Sequence, residues 1–381
     1  MEKDIRLPEY DHSILSIITS FLKYYNVETK YKSLDVIDER LHAKNYRNVI
    51  FLILDGMGEH IYTPILNEGF FKKHEADVVT SVYPSTTTAA VTTYYSGKPP
   101  IETAWIAWSQ YFKEYGRSID MLPQKESYLR EDLSNARMNV FKELLNYKTV
   151  FDQIEEKGTK AYEIMPVYAV RKAKRSLRAD DVDECIMCIE DLCTMPDKKF
   201  IMAYVDNPDS ILHKYGTTSE EVREFLTETE QKVEKMCQNL PEDSIIIISA
   251  DHGHKDITEG YSLLDHPELQ ECLYMPVSFE SRLVNFFVKP EMREIFAERF
   301  NNAFGEDYWL LSKEEFLSKN LLGFGDKHPK VDDFLGDYLA LATNDKLITI
   351  ETYLAEGKPL KKSTHCGITK AEMEVPVIIV G

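Results

Sequence analysis

No apolar run in this 381-residue chain approaches the roughly 20 residues needed to cross a bilayer, so the sequence predicts no spanning helix. The opening stretch, MEKDIRLPEYDHSILSIITSFLKYY, lacks a basic region followed by a long apolar segment and a small-residue cleavage site. It reads instead as a short amphipathic surface helix, and the protein as cytoplasmic. Cysteine is scarce: there are six, and Cys185, Cys188 and Cys193 crowd one helix-like stretch, which builds no disulfide framework. Cys185 and Cys188 form a CxxC, but with no second pair at metal spacing, helix packing accounts for it. Positive charge is in deficit, 45 Lys and Arg against 64 Asp and Glu, for a formal net charge of -19. Affinity for a nucleic-acid backbone is built from Lys and Arg neutralising phosphates, so a nucleic-acid polymer is not the expected partner. Internal repeats and low-complexity tracts are missing too.

What the chain does have is unbroken runs of Val, Ile and Leu that stop at an acid. Three share this design: VIFLILDG (49–56), FIMAYVDNPD (200–209) and SIIIISADHGH (244–254). Runs without alternation read as strands buried on both faces, the habit of parallel sheets covered by helices. Helical periodicity lies between them, for example over 147–157 and 219–239, and VPVIIVG supplies a last strand to the same sheet. The fold class is therefore α/β, a mostly parallel central sheet flanked by helices. Ligands in such sheets bind beyond the carboxyl ends of the strands, where Asp55, Asp206, Asp209 and Asp251 would sit.

Between about 256 and 355 the style changes to shorter, alternating strand candidates and a Phe-rich helix. This predicts a smaller α+β cap inserted into a core made of 1–255 and 356–381, with Pro-containing hinges near 267–277 and 357–363. A second insertion over 98–140 places Trp105, Trp108 and Tyr111 in polar surroundings.

The chemistry rests on Asp55, Thr87, Asp209 with His213, Asp251 with His252, and His365. Singly, each has an ordinary reading as a turn acid or a packed histidine. Together, the acids and their neighbouring histidines follow buried strands at one predicted sheet edge, and carboxylates mixed with imidazoles suit zinc or manganese better than calcium or magnesium. Asp209 and His213 are four apart, so one helical turn would present both to a single ion. YPSTTTAAVTTYYSG (83–97) adds four consecutive hydroxyl residues where a helix N-cap needs only one.

The ordered blocks LILDGMG, YPSTTTAAVTTYYSGKPP, YVDNPDSILHKYG, SADHGH and THCGITKAEMEVPVIIVG resemble the alkaline phosphatase superfamily, specifically its nucleotide pyrophosphatase/phosphodiesterase branch. The resemblance implies two divalent metal ions, zinc first and manganese second. One would be held by Asp209, His213 and His365, the other by Asp55, Asp251, His252 and the nucleophile. Counting ten residues back from Gly97 gives Thr87 as that nucleophile, while spacing alone leaves Thr86 open. The implied reaction is hydrolysis of a small phosphate ester, such as a nucleotide, through a phospho-threonine intermediate, with Ala89 and Ala90 keeping the approach open. Two ions about 4 Å apart would clamp the attacking and leaving oxygens of an in-line displacement. Thr86 and Thr88 take the ordinary duties of capping and hydrogen bonding.

Rival readings on the same site are a phosphomonoesterase and a phosphonate hydrolase. One of a different class is a catalytically silent metal-binding interaction protein. Cys366 stands where the resembled family usually has Gly, which brings a thiol near the metal residues. Asp206 and His254 are placed behind the ligands. Lys98 is a weak candidate for substrate phosphate, and Trp105, with Trp108, for stacking on a substrate ring; a solvated lysine and packed indoles are the ordinary readings. His328 and Asp337 receive no role. Substrate identity and oligomeric state are not legible.

Overall fold

The three aliphatic runs form the middle of a seven-stranded sheet in the computed structural model, which describes residues 4–128, 131, 140–166, 173–349 and 360–381. The strand order is Glu75–Thr80, Glu374–Val380, Ser244–Ser249, Asn48–Leu54, Lys199–Val205, Lys160–Met165, Arg175–Arg178. Glu374–Val380 runs antiparallel to both neighbours, while the pairs from Ser244–Ser249 through Arg175–Arg178 are parallel. Every residue of Asn48–Leu54, Lys199–Val205 and Ser244–Ser249 is buried. Each large aliphatic side chain hidden this way contributes about 1.5–3 kcal/mol before entropy is counted.

Helices Ile14–Tyr24, Thr87–Ser96 and Val150–Glu156 form one covering layer; Glu59–Leu66, Val182–Thr194 and Glu220–Asn239 form the other. The helical patterns at 147–157 and 219–239 correspond to Val150–Glu156 and Glu220–Asn239, each opened by a hydroxyl cap, Thr149 and Ser219. The N-terminal helix corrects the sequence expectation of a surface helix. Ile14, Leu15, Ile17, Ile18 and Phe21 are all 0% exposed, and the Phe21 ring packs on Phe51 and Phe200 of the sheet. Its buried serines bond to backbone, Ser16 Oγ donating to Tyr10 O and Ser20 Oγ donating to Ser16 O and accepting from Leu34 N, so they can be buried. Among the described residues no helix is long and apolar enough to cross a membrane.

A second sheet is antiparallel, in the order Ser278–Glu280, Leu283–Phe286, Tyr338–Ala342, Tyr308–Ser312. Helix Arg293–Phe304 lays Phe296, Phe300 and Phe304 against it at helical spacing. Leu269, Cys272 and Val277, from the expected hinge at 267–277, pack into the same cluster. Residues 350–356, at the end of the expected insertion, and 357–359 of its other hinge lie outside the described residues. Three short strands, Ser109–Phe112, Arg117–Asp120 and Lys125–Glu126, form a meander whose Phe112 and Ile119 share a core with Phe279 and Leu283 of the second sheet. The described part of the aromatic-rich 98–140 stretch, residues 98–128, therefore packs around Trp105 and Phe112 where the sequence suggested polar surroundings; most of the rest lies outside the described residues.

Candidate active site

The catalytic edge is built by extending sheet contacts past the ends of the strands. Asp55 N–H donates to Val205 O at 3.0 Å, and Asp209 N–H donates to Asp55 O at 3.0 Å, so the loops after two parallel strands travel together. Gly56 N–H donates to Asp251 Oδ1 at 3.1 Å, which brings in the loop after the third. Gly58 and Gly253 meet backbone to backbone. A Cβ on Gly253 would collide with the Ala371 carbonyl, and one on Gly58 would lie 2.5 Å from Gly253 Cα. Glycine on both sides lets Asp55 and Asp251 lie side by side.

Two groups of side chains that could hold a metal ion result: Asp55, Asp251 and His252, and next to it Asp209, His213, His254 and His365. His252 Nδ1 lies 3.1 Å from Gly253 O, His213 Nδ1 2.8 Å from Ser363 O and His365 Nδ1 3.2 Å from Ser85 O. A carbonyl only accepts, so each Nδ1 carries the proton and each Nε2 presents a lone pair. Those lone pairs face carboxylates: His252 Nε2 is 3.4 Å from both Asp55 Oδ1 and Asp251 Oδ2, and His213 and His365 Nε2 are 3.3 and 3.6 Å from Asp209 Oδ1. Acceptors facing acceptors repel unless a cation lies between them. Asp55 Oδ1 and Asp251 Oδ2 are moreover buried without a hydrogen bond. The donor set therefore fits divalent metal, with the histidine carbonyl contacts fixing the tautomer that a metal needs.

The electrostatics agree. Burial, then the charges of Asp251 and Asp209, push the Asp55 carboxyl well above its ordinary range, although Tyr204 donates a hydrogen bond to it. Burial acts to raise Asp209 too, but His213, His254 and His365 around it hold that carboxyl well below its ordinary range. Burial lowers the imidazoles in turn, His213 to about 3, and His254 and His365 below the usual histidine value.

Thr87 opens the helix Thr87–Ser96, its Oγ1 3.3 Å from His252 Nε2. Of the four hydroxyl residues 85–88, Ser85, Thr86 and Thr88 are buried and Thr87 alone is partly exposed. Ser85 Oγ donates to Gly367 O at 3.1 Å, tying this helix start to the His365 loop. The ordinary duties expected of Thr86 and Thr88 are not what the structure shows. Thr86 occupies the N-cap position without a side-chain cap; its hydroxyl lies beside the Glu280 carboxyl short of hydrogen-bond geometry, and Thr88 Oγ1 is buried with no partner among the described residues.

His254 is fully buried between Asp209 Oδ1, 2.7 Å from its Nε2, and Ser363 Oγ, 3.1 Å from its Nδ1. Its place two residues beyond His252 was its only sequence signal. Two further groups have none. Glu280, from the edge of the second sheet, accepts from Trp108 N–H at 2.9 Å and lies 3.9 Å from His365 Nδ1. Lys361 Nζ lies 3.0 Å from His213 Nε2.

Several expected contributors lie elsewhere. Lys98 pairs with Glu102 at 3.3 Å in a groove shared with Lys30 and Asp326. Trp105 is 3% exposed and donates its indole N–H to Leu145 O, so its ring is packed, with no face for substrate. Asp206 belongs to neither group and accepts from Asn207 Nδ2. Cys366 is buried, and burial followed by the nearby Glu280 keeps its thiol well above the ordinary value, in its proton-bearing form and outside both groups. His328 and Asp337 serve the outer elements, Asp337 accepting from Val288 N–H.

A family model described as type I phosphodiesterase / nucleotide pyrophosphatase matches residues 49–291. An inactive variant of murine ectonucleotide pyrophosphatase / phosphodiesterase 5, in complex with AMP, has a similar fold: TM-score 0.65, 14% identity, covering 88% of this chain and 87% of that one. Phosphonoacetate hydrolase from Sinorhizobium meliloti, in complex with phosphonoformate, is similar at TM-score 0.65 and 15% identity over 88% and 90% of the two chains. Human ectonucleotide pyrophosphatase / phosphodiesterase 5 is similar at TM-score 0.63 and 14% identity over 87% of each. No curated protein matches the chain in sequence.

Proposed function

The chain belongs to the type I phosphodiesterase / nucleotide pyrophosphatase family of phosphate-ester hydrolases, within the alkaline phosphatase superfamily, and from that premise we propose a two-metal phosphodiesterase with Thr87 as nucleophile. One observation carries the reading. The one hydroxyl of 85–88 that reaches solvent stands at a helix N-terminus, 3.3 Å from the His252 lone pair and next to two orphaned carboxylate oxygens.

In this reading Asp209, His213 and His365 hold one ion, and Asp55, Asp251, His252 and Thr87 the other. Bound zinc, or manganese, supplies positive charge that makes a threonine oxygen nucleophilic and neutralises charge developing on the phosphoryl group. The chain does the rest. Backbone N–H groups in the first turn of Thr87–Ser96 orient the phosphoryl oxygens. Asp209 is fixed by His254, and each ligand imidazole by its carbonyl, so the site needs little rearrangement during the reaction. Thr87 gives its proton to water as its oxygen attacks phosphorus, the ester oxygen leaves with its bonding electrons and takes a proton from water, and a second water then breaks the phospho-threonine bond and restores the Thr87 hydroxyl.

The substrate is a small phosphate ester, and a nucleotide is favoured because a similar fold holds AMP. A phosphonate is the second reading, supported by the similar fold that holds phosphonoformate. A catalytically silent protein is disfavoured because every metal-binding position is filled. The test compares hydrolysis of bis-p-nitrophenyl phosphate with that of p-nitrophenyl phosphate by zinc-loaded protein, with chelated protein and Thr87→Ala as controls. Diester preference lost in both controls is expected. Monoester preference would make it a phosphatase, and activity surviving in Thr87→Ala would remove the nucleophile from this account.

A further inference from the structure

We propose that Lys361 recognises negative charge on the leaving group, so that the site prefers a phosphoryl group departing from an anionic partner, such as a phosphoanhydride, over one departing from a neutral alcohol. The inference rests on the phosphoryl-transfer reading above and adds a specificity-determining residue to it.

The argument begins with direction. Thr87 stands at His252, within the Asp55, Asp251 and His252 group. An in-line displacement sends the leaving group away from the nucleophile, on the far side of phosphorus. The far side here is the Asp209, His213 and His365 group. His365 stacks on His252 with ring centroids 3.9 Å apart, and His213 lies beyond it with its centroid 5.2 Å from that of His365.

Lys361 is the cation at this end. Its Nζ is 3.0 Å from His213 Nε2, and the residue is exposed, so the ammonium stands at the solvent mouth of the leaving-group side. The charges acting on it are Asp209 from the core and Glu280 from the second sheet. Among the described residues neither forms an ion pair with it, and its hydrogen bond is to the nitrogen that would bind metal. Once that lone pair is engaged, the three donors of the ammonium need another acceptor. An oxyanion two or three bonds beyond the scissile oxygen would supply one. An alkyl or aryl leaving group would not. Glu280 lies near Thr86 and His365 Nδ1, so the Lys361 ammonium is the group here that would draw an anionic leaving group.

The experiment uses two substrates with one transferred group, a nucleoside triphosphate and the p-nitrophenyl ester of the same nucleotide, on zinc-loaded wild type, Lys361→Met and Lys361→Arg. Lys361→Met is expected to lower kcat/KM for the triphosphate about 10- to 100-fold, while the ester changes by less than about 3-fold and Lys361→Arg restores most of the loss. A second readout does not depend on turnover. Pyrophosphate binding, measured by calorimetry, should weaken by a similar factor in Lys361→Met with bound zinc unchanged. Equal losses on both substrates, no loss on either, or a fall in bound zinc would overturn the assignment while leaving phosphoryl transfer standing. Wild type that cleaves neither substrate would overturn the underlying reading and this one with it.

Discussion

The imidazole of His252 stacks on that of His365, ring centroids 3.9 Å apart and planes 26° from parallel. One ring follows a central strand of the sheet and the other precedes the antiparallel strand at the chain end, so this contact joins two groups of donors into a single centre. Each group keeps its own acid, and the two should remain separable. The wild type is expected to bind two ions, and His213→Ala and His252→Ala about one each, with activity down on the order of 10³-fold in either. Metal analysis after gel filtration gives the stoichiometry. Loss of both ions from either variant would show that the centre forms only as a unit.

Asp55 predicts a variant that loses function and gains stability. Its carboxyl is held well above the ordinary range by burial beside Asp251. A raised folded-state value means no penalty below the unfolded carboxyl range near about pH 4, and a growing one as the pH rises above it. In chelated protein, Asp55→Asn should therefore stabilise by about 1–2 kcal/mol at pH 8, at about 2–4 °C per kcal/mol, with the gain vanishing toward pH 4. Thermal unfolding at the two pH values, with and without zinc, checks the sign. An unchanged or lower Tm at pH 8 would mean that the two acids do not oppose each other.

On the proposed reading His254 would act on metal through Asp209. With its Nε2 2.7 Å from Asp209 Oδ1, His254→Ala is expected to weaken zinc about 10- to 100-fold in a chelator competition, with full stoichiometry recovered in excess zinc. His254→Asn, which can still donate to the acid, should recover part of the affinity. Outright loss of one ion would instead make His254 a ligand.

The His365 loop is held by a buried ion pair. Arg282 and Glu372 are both fully buried, 2.6 Å apart, and Glu372 also accepts from Gly367 N–H at 2.7 Å. Glu372→Gln leaves the guanidinium uncompensated and should destabilise by about 3–5 kcal/mol. Denaturant unfolding measures it. A loss below about 1 kcal/mol would show that the loop is held by other contacts.

The sheet and the clustering of most candidate-site residues were legible because their signals are local. An aliphatic run that stops at an acid needs no partner to be recognised, and Asp55, Asp209 and Asp251 all sit at such stops. Thr87 was harder. Four adjacent hydroxyls look alike in sequence, and only their burial separates Thr87 from its neighbours. Glu280 and Lys361 were invisible because neither carries a pattern; they come near the candidate site through approach from the second sheet and from the segment before His365. The N-terminal helix was misread for the converse reason. Ser16, Thr19 and Ser20 resemble a polar face until the hydroxyls of Ser16 and Ser20 are seen to bond to nearby backbone and all three residues are seen to be buried.

The central claim is that Thr87 carries the phosphoryl group during turnover. Zinc-loaded enzyme mixed with a diester substrate and quenched in acid within the first turnovers can be digested and mapped by mass spectrometry. One added phosphorus-containing group on the peptide spanning 83–97, located at Thr87 and absent from Thr87→Ala, is the predicted result. An unmodified peptide from an enzyme that is demonstrably turning over, or modification at Thr86 or Thr88, would contradict it.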